Sequence, residues 1–253
     1  MLSSNLLRFY AVAAIGFAKN LPRMFIEKIG KKNKVEPMNI AILLYEGLTV
    51  LDAVGAYEVL SLIPNAKVQF VAKEKGLKRS DNGFLGLMAD FDFSEVTHSD
   101  VLLVPGSSKN TTSVMKDGET MDWIRALDQH TKWTTSVCSG ALILGAAGLL
   151  KGKKATTHWA ARDLLKTLGA EPSGDRIVEH GKIITAAGVS AGIDMALYLA
   201  ARIAGDETAK TIQLLIEYDP QPPFDSGALE KASPQIIKSA RNILLRAAMT
   251  AGT

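Results

Sequence analysis

From Met38 onward, short apolar runs alternate with stretches in which apolar residues recur at helical spacing. Asn39–Leu44 (NIAILL), Val68–Ala72 and Val101–Val104 are the short runs, and the β-favouring Trp133–Val137 predicts the next strand. A continuous apolar run suits a strand covered on both faces, as in a parallel sheet. Between them, Leu51–Leu62 and the amphipathic Gly118–Gln129 have helical spacing. Lys78–Met88, rich in Gly and Asp/Asn, predicts a hairpin region. Gly140–Leu150 predicts a helix of small residues, whose internal Gly145 and Gly148 imply close packing against a sheet or partner. Lys154–Thr157, Ile177–Glu179 and Lys182–Thr185 predict short strands, the last two joined at His180–Gly181. Ser190–Ala204 and Glu207–Glu217 predict helices. Such alternation predicts an α/β fold, a mostly parallel sheet with helices on both faces. Asp219–Pro223 (DPQPP) ends the regular pattern, and residues 228–253 form a tail with one candidate helix, Pro234–Met249.

Residues 1–37 have a different character and form a leader to the domain at 38–227. Phe9–Ala18 is an apolar stretch of about ten residues, short of the about 20 that a membrane-spanning helix needs. Three readings remain open for it. It is a surface helix or extension; an interfacial anchor that puts Leu6, Phe9, Ile15 and Phe17 into lipid beside basic residues; or a signal peptide with a small-residue site near Gly16–Ala18. Charge sharpens the division. Residues 1–34 carry seven Lys/Arg against Glu27, while the whole chain is +3, so the remainder is net −3. A mildly acidic body removes the electrostatic motive for nucleic-acid binding. A single cysteine excludes an intramolecular disulfide framework and a Cys-rich zinc site, and fits a reducing, cytoplasmic setting, with membrane association confined to residues 1–34. No histidine pair has metal-ligand spacing, so neither a metal nor another cofactor is expected.

In open α/β sheets, sites form at the carboxyl ends of strands. Four such ends carry candidate chemistry: Leu44–Asp52, Pro105–Ser107, Cys138–Ser139 and His158. Cys138 follows a β-favouring run and precedes Ser139-Gly140-Ala141, the small-residue setting of a nucleophile on a tight strand-to-helix turn. The helix N-terminus behind it is expected to lower the thiol pKa. Asp52 is either a helix N-cap or a carboxyl group placed to exchange a proton with the thiol. The backbone amides of Gly106 and Ser107 are candidate anion donors, Ser139 adds a hydroxyl, and His158 either orients substrate or is a satisfied strand-end histidine. No histidine adjoins Cys138, so an adjacent Cys-His dyad is absent.

The strings LDAVGAYEVL (51–60), VLLVPG (101–106), TSVCSGALILGAAGLLKGKKATTHW (135–159), ITAAGVSAGIDMALYLAARIAG (184–205) and IQLLIEYDPQPPFDSG (212–227) resemble the DJ-1/PfpI superfamily, and more closely its isonitrile hydratase branch. The resemblance covers Met38 to about Gly227. It implies a flavodoxin-like three-layer sandwich, class I glutamine amidotransferase-like, and a homodimer acting without metal or cofactor on a small molecule. It also implies Cys138 as nucleophile, Asp52 as its acidic partner and Ser139 as the hydroxyl residue, where the branch has threonine. Other departures are Ala56 in place of proline and Ser107 in place of a second glycine. Ser139 in place of threonine implies the same hydroxyl with a freer rotamer. The implied reaction is addition of water to an isonitrile, giving an N-substituted formamide. Alternatives are glyoxalase- or deglycase-like chemistry on the same scaffold, a redox-stress role and a regulatory binding role.

Overall fold

The computed structural model describes residues 36–249; the leader expected at 1–37 lies almost wholly outside them. The strands are β1 (Met38–Leu43), β2 (Ala66–Ala72), β3 (Gly76–Arg79), β4 (Gly86–Ala89), β5 (Phe91–Asp92), β6 (Val101–Val104), β7 (Trp133–Ser136), β8 (Lys154–Ala155), β9 (Glu171–Pro172), β10 (Ile177–His180) and β11 (Ile183–Ala186). The α-helices are α1 (Val50–Leu60), α2 (Thr111–Lys116), α3 (Gly118–Asp128), α4 (Gly140–Ala146), α5 (Arg162–Thr167), α6 (Ala191–Ala204), α7 (Asp206–Leu215) and α8 (Pro234–Met249). A 3₁₀ turn covers Trp159–Ala161. Helices α2 and α5, six residues each, are too short for their periodicity to stand out in the sequence.

Seven strands form one sheet in the order β10-β11-β7-β6-β1-β2-β5. Every pairing is parallel except β10 with β11, the hairpin at one edge. Helix α1 packs with α6, and α6 with α7; α4 packs with α2, α3 and α5. This is the mostly parallel α/β sheet that the alternating pattern predicts, in the flavodoxin-like sandwich form that the family resemblance implies. The apolar strands sit where both faces are covered: all four residues of β6 and of β11 are buried. Strand β7 carries hydroxyls into this core, and most find partners. Thr134 Oγ1 donates to Asp128 Oδ1 at 2.6 Å and Thr135 Oγ1 to the Leu102 carbonyl at 3.0 Å. Lys182 closes that end of the sheet against Asp128 at 3.1 Å.

The chain runs from β1 outward through β2 to β5, then crosses to β6 on the other side of β1. The carboxyl ends of β1 and β6 therefore flank the topological switch point, where doubly wound sheets open a crevice. Strand β7 ends immediately beside it. There Gly140 opens α4 so close to β6 that a Cβ on it would lie 2.1 Å from the Val104 carbonyl oxygen. Backbone cannot yield as a side-chain tip can. Gly140→Ala is therefore expected to cost about 3 kcal/mol or more of stability, measured by urea unfolding; a loss below about 1 kcal/mol would show that β6 and α4 separate freely.

Candidate active site

Cys138 occupies the turn between β7 and α4 with φ +57°, a left-handed conformation uncommon for a residue with a side chain. Neighbours hold it there. Its N–H donates to the Ala187 carbonyl at 2.8 Å, and its own carbonyl accepts from Thr157 Oγ1 at 2.7 Å. Strain at an over-determined position of this kind is a feature of functional turns. The residue is 7 % exposed.

Asp52 is not the N-cap of α1. Thr49 precedes the helix, and Asp52 lies in its first turn with the carboxyl fully buried. Oδ2 accepts the Gly106 N–H at 2.8 Å, a bond that crosses the switch point from β6 to α1. Oδ1 has no partner in hydrogen-bond geometry among the described residues, although the Cys138 thiol is near enough to favour the charged carboxylate. Burial dominates and pushes the Asp52 pKa up from 3.8 to about 7; the Gly106 amide opposes this, and the charge of Asp81 reinforces it.

The thiol pKa departs from the sequence expectation. Burial raises it well above the ordinary cysteine value, and the Asp52 charge raises it further. The Ser139 and Val189 backbone N–H groups and the Ser139 hydroxyl favour the thiolate, but do not offset desolvation. A helix start of one or two amides is outweighed when water is excluded.

The amides at the end of β6 also differ from expectation. Gly106 N–H is committed to Asp52, and Ser107 N–H donates to Ser139 Oγ at 2.9 Å, so neither is free to hold an anion. Ser107 Oγ instead organises its loop, donating to the Gly47 carbonyl and accepting from the Lys109 and Asn110 amides. A Cβ at Gly106 would meet Ser139 N and Oγ at 2.6 Å and Asp52 Oδ2 at 3.0 Å. Only glycine lets these groups approach. The Ser139 rotamer is not free either: its hydroxyl contacts the Ser107 amide, the Ser107 carbonyl and Thr111 Oγ1 at 2.7–3.0 Å. Ala56 is fully buried within α1, where its N–H continues the helix.

His158 caps the 3₁₀ turn, its Nδ1 accepting the Ala160 N–H at 3.3 Å. It lines a cavity of about 300 Å³ with Trp159, Arg162 and Ala187–Ser190, whose Val189 also faces the sulfur. Burial and the adjacent Arg162 lower the His158 pKa, favouring the neutral ring. Four further residues at the site escaped the sequence reading. Val189 follows β11, a fifth strand end that the same strand-end rule would have flagged. Tyr45 is buried, donates to the Pro105 carbonyl at 2.9 Å and has its pKa raised by burial and by the charges of Asp52 and Cys138. Thr111 braces Ser139. Asp81, at the β3–β4 turn, accepts from Thr49 and Ser108 hydroxyls at 2.9 and 2.8 Å. Among the described residues, no three His, Cys, Asp or Glu side chains converge to hold a metal ion.

The profile of the DJ-1/PfpI family matches residues 38–202. The chain belongs to this family. The isonitrile hydratase of Pseudomonas putida is 44 % identical over 204 residues, 81 % of this chain and 89 % of that one. A THiJ/PfpI family protein of Pseudomonas syringae superposes with a TM-score of 0.80 at 38 % identity, covering 87 % of this chain and 94 % of the other. Drosophila melanogaster DJ-1beta superposes with a TM-score of 0.65 at 17 % identity over 73 % of this chain and 100 % of its own, a likeness of fold.

The buried carboxyl ties stability to pH. Asp52 ionises near 3.8 when unfolded and at about 7 when folded. Between these values the folded protein keeps a proton that the unfolded chain has lost, so this group costs about 1.4 kcal/mol of stability per unit as pH rises through the window. Asp52→Asn has no such proton. Its stability relative to the parent should therefore grow from about pH 4 to about pH 7 in urea unfolding; a constant difference would place the folded pKa near its unfolded value.

Proposed function

We propose that this protein is an isonitrile hydratase that adds water to an isonitrile and releases an N-substituted formamide, with Cys138 as nucleophile and Asp52 as proton carrier. The observation that carries the reading is the Asp52 carboxyl, buried beside the Cys138 thiol and poised at about 7. The extensive identity to the Pseudomonas putida enzyme supports the substrate class.

At neutral pH the pair holds a thiol proton and a carboxyl group near half-ionisation. As Sγ bonds to the terminal isonitrile carbon, Asp52 takes the thiol proton and delivers it to that carbon, giving a thioformimidate, R–N=CH–S–Cys138. The Ser139 and Val189 amides that face the sulfur favour the negative charge it carries on the way. Asp52 next takes a proton from water as the water oxygen adds to the imidate carbon. That proton passes to nitrogen, the hydroxyl proton returns to sulfur through the same carboxylate, and the C–S bond breaks. The formamide leaves with the thiol restored. Gly106 and Ser107 serve this scheme by positioning Asp52 and Ser139, and His158 by shaping the cavity wall.

A homodimer, implied by the resemblance, is part of the same proposal; the exposed Leu51, Leu214 and Leu215 are apolar surface that a second copy would cover. Among the described residues no helix is long and apolar enough to cross a membrane, so membrane-surface contact is proposed only for residues 1–34. A peroxide-sensing role is disfavoured by the thiol itself, because sensor cysteines are acidic and accessible and Cys138 is neither.

The decisive measurement is infrared loss of the isonitrile stretch with purified protein. Cys138→Ala and Asp52→Val should each abolish it, and Asp52→Asn should lower kcat by ~10²–10⁴-fold. If Asp52→Val retains turnover, the proton-carrier assignment is wrong. Because the carboxylate must be free to accept the thiol proton, kcat/KM should rise with pH through about 7; a profile flat from about pH 5 to 8 would remove Asp52 from that role.

A further inference from the structure

The cavity walled by His158, Trp159 and Ala187–Ser190 is not electrically neutral. Its lining contains two arginines, Arg162 and Arg176, and one acid, Glu230. Arg176 is already matched, its guanidinium paired with Asp194 at 2.5 Å. Arg162 is not. Among the described residues its Nε is buried without a hydrogen-bond partner, and Nη2 reaches the Gly174 carbonyl only at 3.4 Å. Nη1 pairs with the Glu230 carboxylate at 3.6 Å.

That pair is loose in two senses. It is longer than a charge-assisted hydrogen bond, and the Glu230 side chain is 68 % exposed, so water competes for it. Glu230 also comes from outside the sheet sandwich, on the segment after DPQPP that leads to α8. That segment and α8 together line Trp159: Leu229 from the segment and Ile236 and Ala240 from α8 form a groove with that ring, and Arg241 of α8 lies 5.8 Å from its centroid. A guanidinium that faces a cavity with a buried unpaired donor and an exchangeable carboxylate has the donor geometry for another carboxylate.

We infer that the substrate carries an anionic group, a carboxylate, which Arg162 binds by displacing Glu230 while the isonitrile carbon reaches Cys138. This rests on the hydratase reading and narrows its substrate class to isonitriles bearing a carboxylate. The wall Ala187–Ser190 would link the two ends of such a molecule, because Val189 lines the Arg162 cavity while its backbone N–H is directed at the sulfur. A cavity of about 300 Å³ is at the small end of ligand sites, which suits a short aliphatic isonitrile. The neutral His158 ring beside Arg162 adds no competing positive charge.

The test compares ω-isocyano carboxylates of two to six carbons with their methyl esters, by infrared turnover. The parent protein should prefer the acid over its ester in kcat/KM by tenfold or more at the best chain length. Arg162→Met should erase that preference, chiefly through a higher KM for the acid, and Arg162→Lys should restore part of it. Glu230→Gln, which removes the competing carboxylate, should lower KM for the acid about two- to fivefold. Turnover of acids and esters with no preference at any length would overturn the inference and leave the hydratase reading standing. Absence of turnover with every compound would overturn the hydratase reading. Calorimetry then decides the anion site separately, using the N-formyl ω-amino acids of the same lengths. Binding to the parent that is lost in Arg162→Met supports the site; equal or absent binding in both overturns it.

Discussion

A carboxyl group without access to water must take its hydrogen bonds from the protein or keep its proton. Asp52 does part of each, and much of the surrounding architecture follows. Its one backbone donor, Gly106, comes from the far side of the switch point, so β6 must end in a residue that lets α1 and α4 close on it together. The same closeness presses Gly140 against the Val104 carbonyl and seats Ser139 on the Ser107 main chain. The left-handed turn at Cys138 is then held from β11 by Ala187 and from beyond β8 by Thr157. Each contact is individually worth about 1 kcal/mol. Together they fix a thiol and a carboxyl side by side at the ends of three adjacent strands.

Burial gives that pair a definite resting state. With the thiol pKa raised and the carboxyl at about 7, the sulfur is protonated when the site is empty. A buried thiol is a poor target for stray oxidants and electrophiles. In the proposed reaction, the proton that protects it is also the one that an insertion of carbon into the S–H bond must move, with the carboxyl beside it matched to neutral pH for that transfer. Reactivity is thus stored in the relation between two groups, neither of which is strongly activated alone.

The fold was legible because its central strands β1 and β6 are covered on both faces and read as apolar runs; the run Val101–Val104 coincides with β6 to the residue. The strand-end rule likewise brought Asp52 and Cys138 together across 86 positions of sequence, from the end of β1 and the end of β7. What it could not convey was direction. The amides of Gly106 and Ser107 were legible as donors at the right strand end, yet their partners are Asp52 and Ser139, because the orientation of a peptide plane is decided by packing. Thr111 sits on a six-residue helix with little periodicity, and Tyr45 looks like any other core aromatic until its hydroxyl is seen on Pro105. The thiol pKa was misjudged for a similar reason: a helix start is visible in sequence, whereas the depth of burial that outweighs it is a property of the assembled core.

Asp81 reaches this chemistry from an unusual direction. It stands at the tip of a β3–β4 ribbon that forms its own two-stranded sheet, and it is tethered to the site by the hydroxyls of Thr49 and Ser108. Its charge is one of the influences that lift the Asp52 pKa. The acid–base midpoint is therefore partly governed by a module with no share in the seven-stranded scaffold. In the proposed reaction, changes in the length or sequence of that ribbon would retune the working pH while Cys138 and its supporting strands stay untouched, an independence that would give such a fold room to diversify among environments of different acidity.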